Sequence, residues 1–482
     1  MIWYWKRGWI MYTEFFAENF RAIGSNALGL RLAPLTVIVG PSGSGKSSFL
    51  EAMALTAQSA IEDPSRHDLV LSGSIIDIPC GFAKQHEVGE EIYNARDTSR
   101  VMKAGFEIEV DGKKWRQAGY GKAPPPILKD AKEWPPKTVG YYWGRRGGNG
   151  SWKASWSHGF LVDGHPCYDL ETNFVQSSDS SGTYRGVFRP GTLSGFGNIS
   201  LDFGQNIERV LHEGLAADDL TKSIPKSPVG FFEAFGISAP FLRFLRSELM
   251  SRLGATSFLS GLRGRHLLQS ESGAEPKRIG QHGELAKRLL VSQKARRHPA
   301  YRKLKEWASR FNLGDIDSSL AGSDEVSVSF RDTATKSVLE IESGAAGSLQ
   351  GLLVATQLLI AEPGSCHLIE EPEIHMHPRF EAELAKLFSD AVELGQQIIL
   401  TTHSEVLVAA VANVVRAKRL KPEQVAIWHL ERDEDGQVCR EQIEVSEKGN
   451  LKGWVRSFRE IEEKLFDEWS EALPVAEEKD RD

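Results

Sequence analysis

Short apolar segments separated by Gly- and Asn-containing turns open the chain. They cover residues 12–17, 28–32 and 35–39. Alternating or continuously apolar runs of this length predict β-strands. The third run leads into a glycine-rich loop, and residues 47–60 then carry apolar side chains at helical spacing. The pattern predicts strand, loop and helix in succession, which is a common start for an α/β domain.

The middle of the chain is richer in Gly, Pro and Trp, from about residue 72 to about residue 229. A strand is predicted over residues 106–110, closed by a turn at Asp111-Gly112. We interpret this stretch as a lobe inserted into the α/β domain. Further helices are predicted over residues 231–253 and 283–311, and further strands over residues 326–330 and 338–341.

These patterns predict a division of the chain into consecutive parts. The parts are residues 11–71, the first part of the core with the loop; residues 72–239, the inserted lobe; residues 240–460, the second part of the core; and residues 461–482, an acidic C-terminal helix and tail. Translation from Met11 rather than Met1 would still leave a complete first strand, so the sequence leaves the start open.

Composition is that of an ordinary folded protein. Of the 482 residues, 41% are hydrophobic and 26% are charged, which excludes a disordered or fibrous class. The net charge of −7 is a mild imbalance and names no partner. The longest apolar run, residues 349–361, is broken by polar residues and is shorter than the roughly 20 residues of a membrane span. Four well-separated cysteines favour a reducing, cytoplasmic compartment.

The glycine-rich loop fits the pattern G-x-x-x-x-G-K-[ST]. It reads Gly40-Pro41-Ser42-Gly43-Ser44-Gly45-Lys46-Ser47. Glycines let the backbone curl so that consecutive N–H groups point at phosphate oxygens, beside the positive end of the following helix. Lys46 is then expected to reach the β- and γ-phosphates, and the hydroxyl of Ser47 to bind Mg²⁺. The sequence therefore predicts a site for ATP and Mg²⁺, with Ser48 among the nucleotide contacts.

Two later strand ends carry groups that suit hydrolysis. Glu370 and Glu371 follow a buried strand in Cys366-His367-Leu368-Ile369, where one carboxylate would bind the metal and the other would orient or activate water. A merely charged strand end is the alternative interpretation. His403 follows the apolar residues 398–400, and an imidazole there can hydrogen-bond a γ-phosphate. A histidine at a strand end is, however, more often structural.

The motifs follow one another in a distinctive order. After the P-loop come Gly344-Ala345-Ala346-Gly347-Ser348-Leu349-Gln350, then Ile369-Glu370-Glu371-Pro372-Glu373-Ile374-His375-Met376-His377-Pro378, then Thr401-Thr402-His403-Ser404. This order resembles the ABC-type ATPases of the SMC and RecF class. More narrowly, it is similar to predicted bacterial ATPases with an E-E-P-E-x-H-x-H-P box, which include the ATPase portion of the overcoming-lysogenisation-defect proteins.

The resemblance implies a fold, a set of roles and a partner. It implies an α/β P-loop fold, an ABC-type ATPase head, in which Glu370 binds the metal, Glu371 is the catalytic base and His403 is the switch histidine. Residues 344–350 stand where this class has its ABC signature, which acts on the γ-phosphate from the opposite subunit. A homodimer or higher oligomer joined through ATP is therefore implied, with Ser348 as a nucleotide contact.

The sequence also departs from the pattern of this class. Residues 344–350 differ from L-S-G-G-Q, so an ordinary helix N-cap is the alternative interpretation of Ser348. Glu370 stands where most P-loop enzymes have Asp, which moves the carboxylate one methylene further out. The glutamine expected between P-loop and signature has no clear counterpart, and Gln85 is the nearest candidate.

Other features allow a functional and a structural interpretation. His375 and His377 have an H-x-H spacing that suits zinc, but the box already accounts for both. Aromatic and basic side chains alternate over residues 141–156, which fits stacking on DNA or RNA or, equally, the core of a lobe. A basic run over residues 287–305 fits nucleic acid or a solvated helix face.

On the resemblance, the expected function is ATP hydrolysis that closes and reopens a dimer. The expected setting is a bacterial anti-phage or DNA-processing complex in which the ATPase acts with a separate effector protein, a nuclease or toxin. Two alternatives come from other classes: the nucleotide-binding subunit of a membrane transporter, and a scaffold that binds ATP without turnover. The resemblance therefore predicts the chemistry of the site more narrowly than the process that it serves.

Overall fold

The computed structural model describes most of the chain apart from its ends and several internal segments. The described residues are 12–58, 72–73, 76–77, 94–97, 99–110, 112–119, 134–146, 155–176, 182–190, 199–204, 251–264, 278–321 and 325–452, with the single positions or short pieces 244, 248–249, 268, 276, 464 and 466–469. Gln85, Trp152, Lys153 and both candidate start residues, Met1 and Met11, lie outside the described residues.

The described residues form both β-strands and α-helices. In chain order, the described strands are β1 (Tyr12–Glu18), β2 (Leu28–Arg31), β3 (Leu35–Val39), β4 (Ser72–Gly73), β5 (Ile76–Asp77), β6 (Met102–Glu109), β7 (Thr138–Arg146), β8 (Ser155–Val162), β9 (His165–Gln176), β10 (Gly182–Pro190), β11 (Ile199–Gly204), β12 (Thr256–Leu259), β13 (Leu313–Ala321), β14 (Glu325–Asp332), β15 (Val338–Glu340), β16 (Cys366–Glu370), β17 (Gln397–Thr402), β18 (Val425–Arg432), β19 (Val438–Val445) and β20 (Leu451–Lys452). The described helices are α1 (Lys46–Gln58), α2 (Gly112–Gln117), α3 (Ala286–Ala295), α4 (Pro299–Arg310), α5 (Ala346–Ile360), α6 (Pro378–Glu393) and α7 (Glu405–Arg416).

A mainly parallel sheet forms the centre of the fold. Within the described residues its order is β12-β16-β17-β3-β18-β19-β20, and the first five of these strands run parallel. Every residue of β3, β16 and β17 is buried, because helices or further strands cover both faces. The carboxyl ends of β12, β16, β17 and β3 therefore meet along one edge of the sheet, where ligands of such folds bind.

Alternate residues of the central strands face two different cores. One core contains Ile38, Leu368 and Ile399 together with apolar side chains of α1. The opposite core contains Val37 and Leu400 together with apolar side chains of α5, α6 and α7. The period-2 alternation of side chains thus places α1 on one face of the sheet and the later helices on the other.

A second, antiparallel sheet joins the first strands to the predicted lobe. Among the described residues its order is β11-β10-β9-β8-β7-β6-β1-β2. Because β6 pairs with β1, with Phe106 opposite Phe15, one sheet crosses the predicted boundary at residue 72. The predicted strand over residues 106–110 is thereby confirmed as part of β6. The division of the chain into a core and an inserted lobe stays a prediction.

The helical pattern predicted over residues 283–311 is confirmed. It is two helices, α3 and α4, separated at His298, which has an extended backbone and accepts a hydrogen bond from the N–H of Ala300 at 3.2 Å. Pro299 then occupies the first helical position, which suits its missing N–H and would break a continuous helix. Strand β13 was not predicted at all, because its alternation of Ser and Asp with apolar residues is weak.

Candidate active site

The phosphate-binding loop lies between β3 and α1, as the motif predicts. Gly40, Gly43 and Gly45 have φ angles of +153°, +78° and +96°, which L-residues rarely adopt. A Cβ atom on Gly40 would also lie 2.0 Å from the carbonyl oxygen of Leu430 on the neighbouring strand. Glycine at this position is therefore required both by the backbone conformation and by the close approach of β18.

Lys46 is buried at the start of α1 and turns back over the loop. Its Nζ atom donates hydrogen bonds to the carbonyl oxygens of Gly40 and Pro41, each at 2.9 Å. Burial lowers the pKa of Lys46 to about 8, against the opposing effect of the carboxylates of Glu371 and Glu373. The ammonium group is thus held beside the curled amides and close to the predicted acidic pair.

Two supports of the loop come from outside the motif. The guanidinium of Arg432, at the end of β18, donates to the carbonyl oxygens of Gly43 at 2.9 Å and Ala22 at 3.3 Å, and also to that of Gly436. The hydroxyl of Ser48 accepts a hydrogen bond from the N–H of Ala22 at 3.3 Å. Ser48, an expected nucleotide contact, is buried, and its described hydrogen bond is to the backbone of the chain.

The structure brings Glu370 to Ser47. The side chain of Glu370 lies beside the Ser47 hydroxyl, and its carboxylate accepts a hydrogen bond from the N–H of Gly261 at 3.2 Å. Burial raises the pKa of Glu370, and the N–H of Gly261 and the hydroxyl of Ser47 oppose the rise. A carboxylate and a hydroxyl from distant parts of the sequence therefore meet where the motif places the metal.

Glu371 and His403 meet at the ends of adjacent strands. The Oε1 atom of Glu371 lies 3.4 Å from Nε2 of His403, and both side chains are about one third exposed. Glu371 has a φ of +38°, and its N–H donates to the carbonyl oxygen of Thr401 at 3.0 Å. Burial lowers the pKa of His403, as does the charge of Lys46, whereas Glu371 acts in the opposite direction. The ring is therefore mainly neutral at neutral pH.

Glu373 connects these strand ends, although it was given no role of its own in the sequence. Its Oε1 atom accepts hydrogen bonds from the hydroxyl of Thr402 at 2.6 Å and from the N–H of His403 at 2.9 Å. Burial raises its pKa, and those hydrogen bonds oppose the rise. The third carboxylate of the box thus holds the loop after β16 against the end of β17.

Ser348 is buried at the start of α5, and its role as a nucleotide contact stays a prediction. The residue is 3% exposed, whereas Ala345 and Ala346 at the start of α5 are exposed. A Cβ atom on Gly347 would lie 2.5 Å from the carbonyl oxygen of His375, so α5 packs closely on the loop after Glu371. The exposed residues at the start of α5 are therefore Ala345 and Ala346.

The H-x-H spacing does not lie on a strand. His377 is the N-cap of α6 and accepts a hydrogen bond from the N–H of Arg379 at 3.2 Å, and His375 has a φ of +60° in the preceding turn. Within the described part of the chain, no group of three His, Cys, Asp or Glu side chains could hold a metal ion. The capping bond gives His377 a structural role.

The two segments rich in basic residues, 141–156 and 287–305, contribute residues both to the core and to the surface. In the first, Trp143 is 3% exposed and donates from Nε1 to the hydroxyl of Thr56 at 3.0 Å, so it is a core residue. In the second, Lys294 pairs with Asp317, and Lys305 pairs with Asp315 at 3.0 Å. The side chains of Arg145, Arg146 and Trp156 lie outside those that the structure describes.

Comparisons with known proteins bear on this geometry. Residues 279–408 match the family model described as an AAA ATPase domain, a range that contains Glu370, Glu371 and His403. The fold is an α/β P-loop NTPase fold. The predicted fold class is thereby confirmed. No curated protein matches the chain.

Several solved structures are similar to the chain at low identity. An Smc head bound to the C-terminal winged-helix domain of ScpA has a TM-score of 0.44 at 12% identity, over 90% of this chain and 98% of that one. An Smc head with an extended coiled coil, bound to the C-terminal domain of ScpA from Pyrococcus furiosus, has a TM-score of 0.41 at 12% identity, over 96% and 100%. An SMC head from Thermotoga maritima has a TM-score of 0.33 at 10% identity, over 90% and 99%. In the described residues, no helix is both long and apolar enough to span a membrane.

Proposed function

We propose that the chain is a Mg²⁺-dependent ATPase of the SMC and RecF class of ABC-type heads. The observation that carries the proposal is the contact of Ser47 with Glu370, which joins the P-loop to the end of β16. Beside it, Glu371 and His403 lie 3.4 Å apart. A P-loop needs such groups next to the terminal phosphate for hydrolysis, so the arrangement supports turnover rather than binding alone.

The residues present fit the groups that such a reaction uses. The Ser47 hydroxyl and the Glu370 carboxylate are oxygen ligands of the kind that Mg²⁺ prefers, and a bound Mg²⁺ would neutralise charge on the phosphates. Lys46 would exchange its bonds to the loop carbonyls for the β- and γ-phosphates. Glu371 would orient the attacking water or accept its proton, and His403 would hydrogen-bond the γ-phosphate.

The test of this proposal measures ATP binding and phosphate release separately. The wild-type protein is expected to bind a fluorescent ATP analogue and to release phosphate in the presence of Mg²⁺. Lys46→Ala is expected to lose both, because it removes the cation that binds the β- and γ-phosphates. Unchanged ATP affinity in Lys46→Ala would contradict the assignment of the loop.

Pairing of two subunits through ATP is part of the proposal. The support is the resemblance, together with the exposure of Ala345 and Ala346 at the start of α5. Glu371→Gln should accumulate an ATP-bound dimer in light scattering, and Ala346→Arg should abolish that dimer while ATP binding stays intact. Ala417→Arg, at an exposed position after α7, is the matched control and should still dimerise. A dimer that survives Ala346→Arg would remove this surface from the interface.

The proposed setting is a bacterial anti-phage or DNA-processing complex with a separate nuclease or toxin as effector. This step rests on the resemblance alone, and its test is genetic: Glu371→Gln should abolish protection in cells challenged with phage. Equal survival with and without the intact gene would contradict a defence role. Copurification with a membrane permease would instead favour the transporter subunit.

Contact with DNA or RNA is proposed only for the exposed cations of α4. Arg302 and Lys303 are exposed, whereas Lys294 and Lys305 are engaged with Asp317 and Asp315. We expect salt-sensitive binding that weakens in an Arg302→Gln, Lys303→Gln variant and is less affected in a Lys294→Gln variant. No binding to the nucleic acid at low salt would contradict this part of the proposal.

A further inference from the structure

A buried arginine lies behind the acidic pair. Arg263 follows β12 and is 7% exposed. Its guanidinium donates from Nη1 to the carbonyl oxygen of Glu370 at 2.7 Å and from Nη2 to that of Glu371 at 2.9 Å. Nη1 also donates to the carbonyl oxygen of Ser260. The guanidinium of Arg263 therefore binds the backbone of both glutamates and does not occupy their carboxylates.

The two carbonyl groups that Arg263 binds lie at the end of β16, where the regular hydrogen bonding of the sheet stops. Glu370 is the last residue of β16, and Glu371 has left the strand with a φ of +38°. That left-handed conformation determines where the Glu371 side chain points, and it persists only when the surroundings enforce it. The planar guanidinium offers paired N–H groups that a lysine ammonium does not offer in the same geometry.

Arg263 is also paired with the helix that carries the signature segment. Its Nε atom donates to Oε1 of Gln350 at 2.8 Å, and Nε2 of Gln350 donates back to the carbonyl oxygen of Arg263 at 2.9 Å. Gln350 is 1% exposed and lies on α5, whose Gly347 packs against the carbonyl of His375. One reciprocal pair thus joins the start of α5 to the end of β16.

We propose that Arg263 and Gln350 are positioning residues that set the orientation of Glu371 relative to the P-loop and couple it to the start of α5. Both side chains are buried and their described hydrogen bonds are to groups of the protein, so we infer that they act through Glu370 and Glu371. A movement of α5 when a second subunit docks would be passed to the glutamates through this pair. The inference rests on the proposed ATPase function but goes beyond it, since it gives Arg263, which lies outside the motifs described above, and Gln350 a joint role in positioning Glu371.

The chain offers a matched control at the opposite ends of the same strands. Arg252 is 2% exposed and donates from Nη2 to Oε1 of Gln397 at 2.6 Å and from Nη1 to the carbonyl oxygen of Gly364. Gln397 begins β17, so this second buried Arg-Gln pair lies at the amino ends of the strands, away from the P-loop. Loss of either arginine should cost similar stability, but only Arg263 should affect turnover.

The test compares Arg263→Lys with Arg252→Lys in phosphate release, ATP affinity and thermal unfolding. We expect Arg263→Lys to lower kcat by about tenfold or more while KM stays within about threefold, because a misplaced general base slows the chemical step and not binding. Arg252→Lys should keep kcat within about twofold at a comparable loss of Tm. Equal effects of the two variants on kcat would overturn the inference.

Gln350 gives an independent second test if Arg263→Lys does not fold. Gln350→Met should also lower kcat with little change in KM, because Arg263 loses its link to α5 but keeps its bonds to the glutamate carbonyls. Where Arg263→Lys does fold, the loss in the double variant Arg263→Lys, Gln350→Met should not exceed that of the larger single variant, and fully additive losses would overturn the coupling. Where it does not fold, an unchanged kcat in Gln350→Met would overturn the inference. A wild-type protein that binds ATP but releases no phosphate would instead contradict the proposed function.

Discussion

The Nε2 atom of His403 lies 3.4 Å from Oε1 of Glu371, where β17 and β16 end side by side. The pairing of these parallel strands, Thr401 opposite Glu370, fixes this proximity. Glu373 strengthens it, since its carboxylate accepts a hydrogen bond from the N–H of His403. The histidine and the proposed base are therefore in contact, and a substitution of one should alter the environment of the other.

The titration of His403 is the first prediction. Burial, together with the charge of Lys46, lowers the pKa of the imidazole below its ordinary value of 6.5. The folded protein therefore keeps the ring neutral above that value and loses stability as pH falls through the lowered pKa, where the buried ring must take up a proton. Nuclear magnetic resonance of labelled histidine, with His403→Gln to assign the signal, should give a pKa below 6.5. A value above 6.5 would contradict the description of the site.

The pH dependence of ATP binding is the second prediction. Burial lowers the pKa of Lys46 to about 8 in the nucleotide-free protein. Above that pH, ATP binding must be accompanied by proton uptake, so the Kd for ATP should rise by up to about tenfold per pH unit. Titration calorimetry at pH 7, 8 and 9 measures this slope. Lys46→Arg, whose guanidinium stays charged, should bind ATP more weakly, and its Kd should not depend on pH in this range. The same pH dependence of Kd in Lys46→Arg and the wild type would refute the explanation.

The third prediction concerns Arg432, which helps to set the conformation of the P-loop. Its hydrogen bonds to the carbonyls of Gly43 and Ala22 connect β18 to the P-loop. Arg432→Met should raise the Kd for ATP by about tenfold, equivalent to about 1.4 kcal/mol, with little loss of Tm. Arg440→Met removes an exposed arginine of the same hairpin, which lies over the ring of Trp428, and should leave the Kd unchanged. Equal affinities in the two variants would exclude support of the loop by Arg432.

Local sequence predicted the parts of this site that depend on neighbours along the chain. The P-loop could be recognised because its glycines, lysine and serine are consecutive and lie between an apolar strand and a helix. The acidic pair and His403 could be placed because each follows a short buried strand, and parallel strands end at one edge of the sheet. The contact of Ser47 with Glu370 follows from the same rule.

The rest depends on tertiary contacts that no short segment encodes. Arg432 and Arg263 bind backbone carbonyls far away in sequence, and an arginine after a strand gives no sign of which carbonyls it will meet. The burial of Ser348 could not be predicted from the motif, because α5 is buried on nearly all sides through tertiary packing. The apolar spacing over residues 283–311 does not itself show the division at Pro299, because it continues across that residue in both helices.

The most direct measurement of the central claim compares phosphate release by wild-type protein and Glu371→Gln at saturating ATP and Mg²⁺, with ATP affinity measured in parallel. The claim is that the P-loop and the end of β16 form one hydrolytic site. It predicts that Glu371→Gln binds ATP like the wild type but releases phosphate about 100-fold more slowly, as loss of a catalytic base requires. Equal rates of phosphate release in the two proteins, at equal affinity, would contradict it.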